Sequence, residues 1–149
     1  MSKEVRSTKL IAVSSSGLGR KGYDVLPYVM RPLYGYVLQI PGADKLAMER
    51  LIGNAAGQPS WGDDSPPVAG EITEQPWLSA VIVRAAALTD GECRGDDAKI
   101  RGSGKQPYRV GELLPSPYTV SRKDVAHFIV EDAIPHFDKY KGRIVDVGY

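Results

Sequence analysis

Lys9-Leu10-Ile11-Ala12-Val13-Ser14-Ser15-Ser16-Gly17 is a short apolar run that stops abruptly in three serines and a glycine. Aliphatic and β-branched residues favour a strand, and a serine–glycine cluster ends it at once. In open parallel sheets, ligands sit beyond the carboxyl ends of the strands. A strand that delivers hydroxyl side chains at that end is therefore a candidate site; the competing reading is an ordinary strand-to-loop exit. The rest of the chain weighs on the choice.

Downstream, Trp77-Leu78-Ser79-Ala80-Val81-Ile82-Val83-Arg84 is a nearly continuous apolar run, of the kind buried on both faces of a parallel sheet. Between the two runs the pattern turns helical from about Ala43. Ala43, Leu46, Ala47, Leu51 and Ile52 share one face, Asp44, Lys45, Glu49 and Arg50 decorate the rest, and Gly53 is a plausible C-terminal stop. Strand, helix and strand make a βαβ unit, expected to cross over with the right hand.

The intervening segments read as connections. Residues 17–32 carry Gly17, Gly19, Gly22, Pro27 and Pro32 and read as a loop with a short helical turn. Tyr23, Tyr28, Met30, Leu33, Tyr34 and Tyr36 make this region apolar, suiting a segment that packs on the sheet or covers a pocket. Residues 54–76 form a long connection rich in Pro, Gly, Asp and Ser, in which Asp63 and Asp64 read as solvated charge rather than metal ligands. Residues 85–91 leave the second strand as a turn, and residues 95–104 read as a surface hairpin. Gly102-Ser103-Gly104-Lys105 lacks the full spacing of a phosphate loop.

Towards the C-terminus, Tyr118-Thr119-Val120 is extended, and Ser121-Arg122-Lys123-Asp124 fits a helix capping box with Val120 and Val125 as its hydrophobic staple. The helix carries Val125, Ala126, Phe128, Ile129 and Ala133 and must have stopped by Pro135. Residues 143–149 alternate as a final strand.

Composition bounds the function. A chain of 149 residues suits one domain, here residues 1–149, and a net charge of +1 gives no reason to expect nucleic acid or an anionic membrane as partner. The single Cys93 excludes an intramolecular disulfide, and His127 and His136 lack metal-ligand or triad spacing, so no metal is expected. No apolar run approaches the roughly 18 residues of a membrane span, and Met1-Ser2-Lys3-Glu4-Val5-Arg6 is not a signal peptide, so a cytoplasmic protein is expected.

Four stretches in register carry a resemblance: residues 10–17, Ala43-Asp44-Lys45-Leu46-Ala47-Met48-Glu49, Val81-Ile82-Val83-Arg84 with Leu88-Thr89-Asp90-Gly91, and Thr119-Val120-Ser121-Arg122-Lys123-Asp124-Val125-Ala126. In order and spacing they resemble the C-terminal part of the atypical short-chain dehydrogenase/reductase superfamily, in particular its NmrA-like, NAD(P)-binding branch. The fold so implied is α/β, a partial Rossmann-like parallel sheet with flanking helices that lacks the first βαβ units, as in an N-terminally truncated domain. The function implied is that of an NAD(P)-dependent oxidoreductase-like protein acting on or sensing a small, hydrophobic molecule, with NADP or NAD as cofactor.

Residue by residue, the resemblance implies that Ser14, Ser15 and Ser16 border the nicotinamide and substrate cleft, with Ser15 and Ser16 in the catalytic group. Lys45 would contact the nicotinamide ribose and join them. Ser14, Ala85, Ala86 and Leu88 would line the cofactor. Two departures stand beside this. The glycine-rich fingerprint that holds the pyrophosphate is absent, and the position four before Lys45, where the family's usual pattern has tyrosine, is Pro41. Tyr34 or Tyr36 would be the substitute from the preceding segment, against the competing reading that both simply pack on the protein.

The alternatives are a non-catalytic regulatory or relic module, a truncated product without turnover, and a cofactor-independent isomerase or cyclase on the same cleft. Strands absent from the chain would have paired with residues 10–13, leaving an edge for a homodimer or a partner chain to cover.

Overall fold

A computed structural model describes residues 8–32, 39–61 and 76–149. The opening apolar run forms β1 (Thr8–Ser15), and the second forms β2 (Leu78–Ala85), buried along its whole length. Between them lie α1 (Gly19–Asp24), a 3-10 turn (Tyr28–Met30) and α2 (Gln39–Ala55). The C-terminal half adds β3 (Ala87–Thr89), α3 (Ala98–Gly102), β4 (Arg109–Gly111), β5 (Thr119–Ser121), α4 (Arg122–Phe128), a π turn (Ile129–Ala133), α5 (Phe137–Tyr140) and β6 (Ile144–Gly148).

The main sheet has the order β1-β2-β6-β4, with β1, β2 and β6 parallel and β4 antiparallel beside β6. A second sheet pairs β3 with β5 in parallel. The fold class is therefore α/β with a mainly parallel sheet between helices. The parallel β1–α2–β2 unit follows the strand–helix–strand pattern expected of it. Among the described residues the outer edge of β1 has no strand beside it, and Val13 there is 44% exposed.

Each face of the sheet has its own core. Val81, Val83, Val145 and Val147 pack against Val125, Phe128, Ala133, Phe137 and Tyr140 from the C-terminal helical segment. Ala80, Ile82 and Leu78 pack on the other face with Trp61 and with Ile52 and Ala55 of α2. The alternation along each strand decides which residue faces which layer.

Several elements differ from the sequence reading. α2 is longer at both ends, and the face it buries is not the expected one: Leu51 is 71% exposed and Ala43 and Ala47 are exposed, whereas Glu49, Gly53 and Asn54 are buried. The helical period is right; its phase is set by a charged residue that hydrophobicity assigns to solvent. Gly53 lies inside the helix rather than stopping it. A Cβ there would sit 2.6 Å from the Gln58 carbonyl oxygen and 2.7 Å from the Trp61 Cβ, so the glycine admits the returning chain.

Residues 98–102 form a short helix capped by Asp97, which accepts from the Lys99 amide, not a hairpin. The turn after β2 contains strand β3, because β5 offers it a parallel partner. The C-terminal helix begins as expected, with the Ser121 hydroxyl accepting from the Asp124 amide at 2.9 Å and with Val120 and Val125 both buried. Leu33, Tyr34, Tyr36, Asp63 and Asp64 lie outside the described residues. Among those described, no helix is long and apolar enough to cross a membrane, and no group of three His, Cys, Asp or Glu side chains could hold a metal ion.

Candidate functional site at the carboxyl ends of the parallel strands

The pairing register lines up Ser14, Arg84 and Asp146 on neighbouring rungs of β1, β2 and β6. With a period of two, the three side chains share one face of the sheet, the face covered by α2. All three are buried, at 2%, 8% and 4% exposure. Polar groups taken out of water need partners. Arg84 finds Glu49 of α2, its Nε donating to Oε1 at 3.0 Å and its Nη2 to Oε2 at 2.6 Å, and a further guanidinium nitrogen points at the Leu18 carbonyl at 3.5 Å. Glu49 is fully buried.

Asp146 accepts from the Leu114 amide at 3.0 Å and faces the Ser16 hydroxyl at 3.2 Å. Burial pushes its carboxyl above the usual carboxylate range, against the pull of the Leu114 amide, Arg84 and Ser16. The Ser16 hydroxyl also lies 3.2 Å from the Arg84 carbonyl, and with one proton it serves one of these two acceptors at a time. Among the described residues Ser14 Oγ is buried with no hydrogen-bond partner.

At the last residue of β1 the Lys45 ammonium donates to Ser15 Oγ at 2.9 Å. The structure thus brings two of the expected site residues, thirty positions apart, into direct contact. Ser16 and Ser14 lie on either side of Ser15 but turn into the protein interior. Ala85 and Ala86 follow at the end of β2, buried at 2% and 3%, with the Ala86 amide bonded to Val147. Leu88 is on β3 and 43% exposed.

A cavity of about 400 Å3 opens beneath this polar row, lined by Leu18, Leu46, Trp61, Arg84, Leu113 and Asp146 among others. Lys45 and Ser15 are not among its lining residues.

Glu49 and Asp146 were missed by sequence reasoning. Glu49 read as helix decoration, as did Lys45; instead Lys45 reaches the strand end and Glu49 the arginine. The available signal was Arg84 itself, a charge closing an otherwise apolar buried strand, which demands a buried carboxylate.

A second polar cluster closes the far side of the helical layer. Asp124, fully buried, accepts from the Tyr149 hydroxyl, from the Gly95 amide at 2.9 Å, from the Ser121 hydroxyl at 3.0 Å and from the Cys93 thiol at 3.5 Å. Burial raises its pKa, but these donors together outweigh that and hold the carboxyl below the ordinary range. Cys93 is itself raised, chiefly by burial, which suits a thiol with a structural place rather than a nucleophile. His127, largely buried, bonds the Tyr108 hydroxyl at 2.7 Å, and His136, at the surface, bonds Asp132 at 2.9 Å.

No protein-family model matches the chain. Among curated proteins it is similar to the reductase pytE of Aspergillus terreus, 33% identical over 144 residues that cover 94% of this chain and 48% of that protein. Solved structures add the fold. A short-chain dehydrogenase/reductase of Veillonella parvula, in complex with NADP, superimposes with a TM-score of 0.53 at 17% identity, over 95% of this chain and 51% of that one. ChuY, an anaerobillin reductase of Escherichia coli O157:H7, gives 0.50 at 15% identity over 94% and 49%. The chain spans about half the length of each of these proteins. Over nearly all of its own length it is similar in sequence to part of a reductase, and its Rossmann-like α/β fold is similar to that of these two solved structures.

Proposed function

We propose that this chain forms the nicotinamide-end part of an NAD(P)-dependent oxidoreductase acting on a small, hydrophobic molecule, with Lys45 and Ser15 facing cofactor and substrate. The observation that carries the reading is the 2.9 Å contact between Lys45 Nζ and Ser15 Oγ at the carboxyl end of a parallel strand.

The residues present fit one end of such a cofactor. An ammonium has three donors. One is directed at Ser15, and the others suit vicinal ribose hydroxyls. Because Ser15 Oγ accepts from Lys45, its own proton is turned away from the lysine and is available to a substrate carbonyl oxygen. Ser14, next to Ser15 in sequence, turns its hydroxyl into the interior, where it has no hydrogen-bond partner among the described residues. The diphosphate end fits less well: the turn that carries Gly17 and Gly19 beyond β1 leads only into the six-residue α1, too short to offer a pyrophosphate a long helix N-terminus. Bound here, a reduced dinucleotide would supply the hydride. Exposed Tyr23, Tyr28 and Val29, in the segment that follows the serines, favour an apolar substrate.

Pro41 in place of the family's tyrosine favours a second reading, an NmrA-like sensor that binds the dinucleotide without turnover. A second copy or a partner chain lying along the outer edge of β1 would complete either form.

The test is a fluorescence titration of the folded chain with NADPH and NADH, with its size in solution recorded. Saturation at micromolar concentrations supports the reading, and consumption of NADPH with a carbonyl substrate separates enzyme from sensor. A folded chain that binds neither nucleotide at millimolar levels would remove the cofactor from the account.

A further inference from the structure

The Lys45–Ser15 contact joins a helix to the end of an edge strand, two elements with no covalent reason to keep this distance. A lysine stem must also give up rotamer freedom to hold one geometry. What fixes α2 against the strand end lies one turn further along the same helix. There Glu49, fully buried, takes both prongs of Arg84 at 3.0 and 2.6 Å.

Arg84 grips the other side. It is the rung partner of Ser14, its carbonyl accepts from Ser16, and its guanidinium points at the carbonyl of Leu18. The residues on both sides of Ser15 are therefore tied to one arginine, and that arginine is tied to the helix that carries Lys45. Stability alone is a poor reason for such a pair, since well-packed apolar residues in place of a buried ion pair are often neutral or stabilising. A two-pronged guanidinium–carboxylate contact does something an apolar contact does not: it fixes direction as well as distance.

We propose that the Glu49–Arg84 ion pair is the positioning device of the site, setting the place of α2 along and around its axis so that the Lys45 ammonium meets the Ser15 hydroxyl. The proposal rests on the reading of Lys45 and Ser15 as the pair that faces the dinucleotide.

The experiment compares the wild-type chain with the double variant Glu49→Leu/Arg84→Met, which removes both charges and keeps the volume apolar. The first readout is the initial rate of reductive methylation of Lys45, followed by peptide mass spectrometry, with exposed Lys141 as internal reference. The second is the NADPH dissociation constant. With an unchanged thermal midpoint, the variant should show Lys45 modified about tenfold faster relative to Lys141 and NADPH bound about tenfold more weakly, the size of effect expected from losing one well-placed contact. Glu49→Gln, which keeps the shape and loses the charge, should fall between the two, and it carries the same readouts if the double variant does not fold. An unchanged Lys45 rate in a folded variant overturns the proposal whatever NADPH does. A faster Lys45 rate with unchanged NADPH affinity overturns its link to the ligand. A wild-type chain that binds no NADPH, with Lys45 released by the double substitution, leaves the positioning in place and defeats the dinucleotide reading instead.

Discussion

Glu49 of α2 and Arg84 of β2, thirty-five residues apart, face each other inside the protein with two hydrogen bonds and side chains 0% and 9% exposed. Removing one partner strands the other charge. Glu49→Ala should therefore cost about 3–5 kcal/mol of stability, whereas the apolar double replacement should cost little or nothing. Urea unfolding of both variants checks this, and equal losses from the two would show that the pair is held mainly for its packing.

Lys45→Ala addresses the ligand. Its ammonium bonds only a partly buried serine among the described residues, so the fold should survive with its thermal midpoint nearly unmoved. A hydrogen bond from a charged group is worth about 1.5–3 kcal/mol, so NADPH should bind about ten- to a hundredfold more weakly. Unchanged affinity would place the nucleotide elsewhere.

Gly53→Ala sets helix propensity against space. In an open helix the change gains up to about 1 kcal/mol. Here the new methyl would lie 2.6 Å from a backbone oxygen and 2.7 Å from the Trp61 Cβ, so we expect a net loss of about 1–3 kcal/mol. A calorimetric scan that shows stabilisation would mean that residues 58–61 yield more easily than their packing implies.

The two buried aspartates should bend the stability–pH curve in opposite directions. Asp124 sits below the unfolded carboxylate value of about 3.9, so its contribution is present above that pH and is lost as the pH falls through the folded value. Asp146 is raised by burial; the folded state takes up its proton first, and stability declines as the pH rises from about 3.9 through the folded value. Relative to wild type, Asp124→Asn should therefore be most damaging at pH 7 and least at pH 3. Asp146→Asn should improve from pH 4 to pH 7. Urea midpoints across that range decide it, and parallel curves for the two variants would contradict the assignment.

Much of the architecture could be read along the chain because it depends on near neighbours. An unbroken apolar run such as residues 78–83 has no stable place except a doubly covered strand, and Ser121 three residues before Asp124 can cap a helix wherever the helix ends up. The contact of Ser15 with Lys45 was approached through resemblance, since each residue alone suits an exposed loop or helix face. The phase of α2, the place of Glu49, the short strand β3 and the row formed by Ser14, Arg84 and Asp146 were decided only in three dimensions. A carboxylate reads as a surface group until a guanidinium arrives from a distant strand to offset its desolvation, and a three-residue strand forms only when a partner strand supplies its hydrogen bonds. Those partners lie more than thirty residues away in sequence, and no local pattern encodes them.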